Sequence, residues 1–250
     1  MTFDAHAPYV PLLIAVVACL YASVGHGGAS GYLALLSLTS LASQSVAAIA
    51  LVLNLVVATI AFVAYRQAKR FDWRLTWPFL LGAAPFAFIG SKIKLSESMY
   101  FLLVGVVVLW AGIRLAFARI DQGQDDFTRP PAPALGVGVG AGVGLLSGLV
   151  GVGGGIFLSP ILVLARWADA KRTSATSAMF IVSNSAIGLA ARASQGIHLP
   201  DNAPWLVLGG ASGALLGAWI GAKRLPIPWL RRLLGFVLLV AAAKLIVSRS

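Results

Sequence analysis

The stretch "GLVGVGGGIFLSP", residues 148–160, sets four glycines, Gly151, Gly153, Gly154 and Gly155, into five positions of an otherwise apolar run. Glycine is among the poorest helix formers, so a helix is expected to break here. A second copy, "SVGHGGASGYLAL" from Ser23, overlays Gly25, Gly27 and Gly28 on Gly151, Gly153 and Gly154 at an offset of 126 residues. The register continues beyond the glycines. Arg66 overlays Arg192 at 126, Trp77 overlays Trp205 at 128, Gly90 and Lys92 overlay Gly221 and Lys223 at 131, and Arg114 overlays Lys244 at 130. The chain therefore reads as two copies of one unit. Residues 1–118 hold the first transmembrane repeat and residues 134–250 the second, with a polar linker at 119–133 whose Asp and Pro content makes it a loop.

The medium follows from composition. Of 250 residues, 59% are hydrophobic and 11% charged, and the mean hydropathy is +0.89, far from an ordinary soluble domain. Apolar runs at residues 9–24, 46–65, 77–89, 101–117, 179–191, 205–222 and 233–247 approach or reach spanning length. The net charge of +11 is spread over connections rather than gathered into a basic face, which argues against a nucleic-acid partner. Cys19 stands alone within an apolar run, so no intrachain disulfide is expected. The opening "MTFDAHAPYVP" lacks a basic n-region and carries Asp4, so no cleaved signal peptide is expected.

Each unit contains a first helix, the glycine loop, a short apolar segment (residues 32–41 and 157–164) and three long segments. Whether the first two segments both cross or form one re-entrant hairpin, the crossings per unit stay odd. A tandem odd unit comes out upside down. The expected fold is all-α, a polytopic membrane protein of about 8–10 segments built from two inverted-topology repeats, each with a glycine-rich helix break. With the N-terminus outside, one face receives Arg66, Lys69, Arg70, Arg74, Arg114, Arg119, Arg129, Arg166, Lys171, Arg172, Lys223, Arg224, Arg231 and Arg232. The other keeps Lys92, Lys94, Arg192, Lys244 and Arg249. The positive-inside rule makes the first face cytoplasmic and both termini external.

Non-helical backbone survives at membrane depth only where protein covers it or where it lines a wet cavity. Paired breaks in inverted halves are expected to meet at a central site, with restarted helices aiming free N–H groups and positive dipole ends at a ligand. Glycine lets that ligand reach the backbone, which favours an anion. The rival reading is helix packing at small-xxx-small spacing, which is also the reading for "GVGVGAGVGLLSG" at 136–148. A dinucleotide fingerprint is excluded, since no strand precedes the loop.

All eight carboxylates, Asp4, Asp72, Glu97, Asp121, Asp125, Asp126, Asp169 and Asp201, fall in termini or loops. Cation transport and carboxylate-based proton coupling are therefore disfavoured. The polar groups within spans are neutral: Asn54 and Thr59 in one half, Thr173, Ser174, Thr176, Ser177, Ser183, Asn184 and Ser185 in the other. The expected substrate contacts are Gly25, His26, Gly27, Gly28, Asn54, Gly151, Gly153, Gly154, Gly155, Thr176, Ser177 and Asn184, with no catalytic residue, metal or cofactor. His26, whose counterpart is Val152, could titrate or donate to an anion. Arg66 and Arg192 are read as interfacial anchors that could also draw anions into the two vestibules.

The sequence resembles the sulfite exporter family of the TauE/SafE type, the TSUP permeases. The likeness rests on "GLVGVGGGIFLSPILVL" followed by "KRTSATSAMFIVSNSAIG", with Pro160 and Ala175-Thr176-Ser177 in order and spacing, and on the first-half copy "VGHGGASGYL". It implies a secondary transporter of sulfite, thiosulfate or organosulfonates, in a family whose members work in either direction. In the first half "QSVAAIALVLN" lacks a Thr-Ser pair, so polar contact need not be symmetric.

The expected function is export of such an anion by alternating access around the two loops, in the inner (plasma) membrane. The expected partners are that small anion and membrane lipid, with self-association left open. Absence of an intramembrane carboxylate favours electrogenic export, with coupling through His26 at most. Three alternatives compete: an uptake permease of the same fold, a structural helical bundle, and an intramembrane serine protease using Ser30 of "GASG". The last is weakened because the counterpart of Ser30 is Ile156 whereas the glycines persist, and because His198 is poorly placed as a base.

Overall fold

The computed structural model describes residues 7–39, 41, 43–93, 130–193 and 199–224, with Asp4, Ser96, Met99, Leu102, Gly105, Val106, Leu109, Ile113 and Gly196 singly. The linker at 119–129 and the last apolar run, 233–247, lie outside the described residues, as do Lys94, Glu97, Arg114, Arg119, Asp121, Asp125, Asp126, Arg129, His198, Arg231, Arg232, Lys244 and Arg249.

Among the described residues there is no β-strand, and eight helices follow one another. In the first half these are α1 (Tyr9–Ser23), α2 (Ala29–Leu36), α3 (Ser43–Gln67) and α4 (Trp73–Lys92). In the second they are α5 (Pro133–Val150), α6 (Gly155–Leu164), α7 (Ala170–Ala193) and α8 (Ala203–Lys223). Four of them, α3, α5, α7 and α8, are long and apolar enough to cross a membrane. The chain is an all-helical, polytopic membrane protein. Large apolar side chains such as Leu12, Leu81, Leu208 and Leu216 stand exposed, as they must when the surrounding solvent is lipid.

Packing between halves is reciprocal. α1 lies along α8 and α5 along α4, while α3 and α7, the third helices of the two units, cross at the centre. Glycine makes the outer pairs possible. A Cβ at Gly209, Gly213, Gly217 or Gly221 would strike the carbonyl oxygens of Pro11, Ala15, Cys19 and Ser23 in turn. In the other pair Gly140, Gly144 and Gly148 abut the backbone of Phe79, Ala83 and Ala87. Residue numbers rise together in both ladders, so these helices run parallel. The third helices run antiparallel, because Asn54 bonds Ser185 while Leu51 meets Gly188.

These directions place Arg66, Lys69, Arg70, Arg74, Arg166, Lys171, Arg172, Lys223 and Arg224 at one end of the bundle. Of the described basic residues only Lys92 and Arg192 stand at the other. Exposed Trp73, Trp77 and Trp219 ring the basic end and Tyr9 and Trp205 the opposite one, an aromatic belt at each interface. The four described carboxylates, Asp4, Asp72, Asp169 and Asp201, all lie outside the helices. Asp72 caps α4 by accepting the Arg74 N–H at 2.9 Å.

The stretch 136–148 divides by face. Gly136, Gly140, Gly144 and Gly148 are packed against α4, but Gly138 and Gly142 have nothing within 4 Å of a built Cβ. We expect Gly138→Ala and Gly142→Ala to keep wild-type melting in detergent, whereas Gly144→Leu and Gly217→Leu should abolish the folded, monodisperse protein. Size-exclusion profiles and thermal melting check this. Similar loss from all four would show that face does not matter.

Candidate functional site

Both helix breaks are built alike. Gly25, Gly28, Gly151, Gly153 and Gly154 adopt φ between +71° and +93°, the left-handed region that a side chain strains to enter. Gly28 caps the start of α2 and Gly154 the start of α6. Residues 23–34 and 150–159 are buried throughout, Pro160 being the first partly exposed position after the second loop. A helix leaves its first N–H groups without intrahelical acceptors. Among the described residues, the N–H groups of Gly27, Gly28, Ser30 and Gly31 meet no acceptor, and neither do those of Val152, Gly153, Gly154, Gly155 and Ile156. Two buried rows of donors thus stand at the starts of two short helices.

Asn54 ties the rows together. Its Oδ1 accepts from the Ala29 N–H at 3.1 Å, while its Nδ2 donates to Ser185 Oγ at 2.9 Å and to the Val152 carbonyl at 3.5 Å. A Cβ on Gly27 would collide with Oδ1, and one on Gly153 with Nδ2. Both loops are thereby pressed onto one amide. Three of the four hydrogen bonds its amide can make go to protein.

A second link crosses the halves through His26. Its Nδ1 lies 2.9 Å from the Val24 carbonyl, which only an N–H can approach favourably, so Nδ1 donates and Nε2 is free to accept. Nε2 sits 3.0 Å from Ser159 Oγ, which is 2.7 Å from Ser177 Oγ. The Val24 carbonyl also accepts from Ser174 Oγ at 2.9 Å. A chain of neutral groups therefore joins the first loop to α6 and α7. With Nε2 accepting, Ser159 donates to it and Ser177 donates to Ser159, so with a neutral imidazole the chain runs in one sense.

The other expected residues separate. Thr176 meets Thr76 of α4, Oγ1 to Oγ1, at 3.2 Å. Asn184 is 3% exposed, with neither its Oδ1 nor its Nδ2 partnered, in contrast to Asn54. Thr59 points outward and bonds the Leu55 carbonyl of its own helix, away from the loops. Arg66 is exposed, but Arg192 is half-buried and turns its guanidinium to the second loop, Nη2 lying 3.6 Å from a Cβ built on Gly151. That cation lies beside the C-terminal end of α5, where the helix dipole favours it. Ser30 Oγ is 2.8 Å from Tyr21 Oη, a pairing with a phenol rather than a base.

Three contributors escaped the sequence reading: Ser159, Tyr21 and Tyr32. The offset of 126 residues holds a signal for two of them, since it pairs Tyr21 with Ser147 and Tyr32 with Leu158. The loops share glycine but not their polar surroundings.

The family model described as "Sulfite exporter TauE/SafE" matches residues 10–245. A Sinorhizobium fredii protein named "Probable membrane transporter protein" is 32% identical over 245 residues, which cover 97% of this chain and 99% of that one. No solved structure matches.

Removing the Asn54 amide strands the Ala29 N–H, the Val152 carbonyl and the Ser185 hydroxyl, each worth about 1–3 kcal/mol when left buried without a partner. Asn54→Ala should lower the melting temperature by several degrees. An unchanged melting curve would mean that the loops do not rely on this bridge.

Proposed function

The chain belongs to the sulfite exporter TauE/SafE family and is a membrane transporter; from this premise we propose that it carries small sulfur-containing anions such as sulfite, thiosulfate or organosulfonates. The observation that carries the proposal is the pair of buried N–H rows at Gly27–Gly31 and Val152–Ile156, in a core without a described carboxylate. Such donors suit an oxyanion and repel a metal cation. Mostly neutral contacts also let the anion leave, since the cation described beside the loops, Arg192, stands only half-buried at the edge of the second.

The two halves act as inverted repeats about an axis in the membrane plane, and transport proceeds by rocking one against the other. Supporting this are the antiparallel crossing of the equivalent helices α3 and α7 and the reciprocal ladders of α1 with α8 and α5 with α4. The excess of basic residues at one end supports placing that end in the cytoplasm, with the protein in the plasma membrane. A potential negative inside then drives the anion outward, by about 2.3 kcal/mol per charge for each 100 mV. Export needs no coupled ion on this account.

Purified protein in liposomes should release preloaded sulfite, thiosulfate or sulfoacetate, and the release should quicken when a potassium–valinomycin gradient makes the interior negative. Sulfate, taurine and simple carboxylates complete the panel. Release that ignores voltage and follows an imposed pH gradient would replace uniport with proton coupling, for which the His26–Ser159–Ser177 chain is the available route. Net accumulation against the potential would favour the uptake alternative.

A further inference from the structure

The phenol of Tyr32 lies within α2, is fully buried, and has a hydroxyl without a hydrogen-bond partner. Side chains on a helix lean back toward its N-terminus, so a tyrosine at the fourth position of α2 projects its ring over the cap. The contacts agree: a Cβ built on Gly28 would lie 2.7 Å from Tyr32 Oη. Glycine at 28 is what leaves room for the hydroxyl there. The N–H groups of Ser30 and Gly31 open the same helix without acceptors, while that of Ala29 is taken by Asn54. A phenylalanine would fill the same space without leaving a buried polar atom unpaired, which costs about 1–3 kcal/mol.

We propose that the Tyr32 hydroxyl is a substrate-binding donor, which together with the first-turn N–H groups of α2 forms a subsite for the oxyanion headgroup of the transported anion. This rests on the anion-transport reading above and sharpens it. The second loop has no equivalent donor, because Leu158 stands where Tyr32 does in the repeat. The headgroup is therefore held by the first half, and the second loop offers no phenol at the start of its helix. A sulfonate or sulfite group, with several acceptor oxygens on one centre, matches a cluster of convergent donors.

The test uses full-length protein in detergent and in liposomes, comparing wild type with Tyr32→Phe. Without ligand the variant should melt at or above the wild-type temperature, since a stranded hydroxyl is gone. The melting shift produced by sulfite or sulfoacetate should shrink, and the KM for efflux should rise about tenfold, the loss expected for one hydrogen bond to a charged acceptor. A wild-type shift and KM that persist in Tyr32→Phe overturn this proposal alone. Failure of the wild type to respond to any anion of the panel, carboxylates included, overturns the anion reading and this proposal with it.

Discussion

Everything in this bundle depends on how main-chain groups are satisfied at a depth where lipid offers no hydrogen bonds. Unbroken helices would have met that requirement, yet the chain interrupts itself twice with glycines in the left-handed region. Each interruption strands donors that must find protein, ligand or water. Asn54 answers part of the demand, with one side-chain amide serving the start of α2, a carbonyl of the second loop and a hydroxyl of α7. Its position near the middle of α3, at the antiparallel crossing with α7, lets one residue reach both breaks. The crossing geometry and the bridge therefore require each other.

The glycine ladders set the distance at which that crossing can occur. Repeats every four residues in α5 and α8 bring backbone against backbone along α4 and α1. In lipid there is no hydrophobic gain from hiding apolar side chains, so close van der Waals approach holds helices together. A larger residue at these positions would push the outer pairs apart and loosen the loops from Asn54. Packing glycines and loop glycines thus do separate jobs toward one end, the first fixing position and the second exposing backbone.

Much of this was legible in the chain. The 126-residue offset, the two short segments and the absence of carboxylates from the spans all come from residue order, and the helical, polytopic fold follows from them. Directions of packing were not legible. Nothing in "GVGVGAGVGLLSG" tells Gly138 from Gly140, because both fit a small-residue pattern and only the helix face separates them. Asn54 and Asn184 look alike as lone amides in apolar helices, but the amide of one is bonded at both its oxygen and its nitrogen and that of the other has no partner. Thr59, which the sequence groups with the neutral polar side chains of the spans, turns outward. Side-chain direction at a known depth is the missing quantity, and periodicity supplies it only when one face is distinctly polar.

The asymmetry between the halves carries the last step. A carrier built from two equal units would hold its substrate with equal contacts, and on rocking would exchange one identical environment for another. Here the first loop is furnished with Tyr21, His26, Ser30 and Tyr32, whereas the matching positions of the second are Ser147, Val152, Ile156 and Leu158. The second loop instead has a half-buried cation at its edge, Arg192 beside Gly151, where the first has the exposed Arg66. On the proposed anion reading, short-range donors on one side and a longer-range positive field on the other would divide the work of holding and attracting the substrate. If the halves rock as proposed, near-symmetry would supply the movement between two states, and departures from it would decide what is carried.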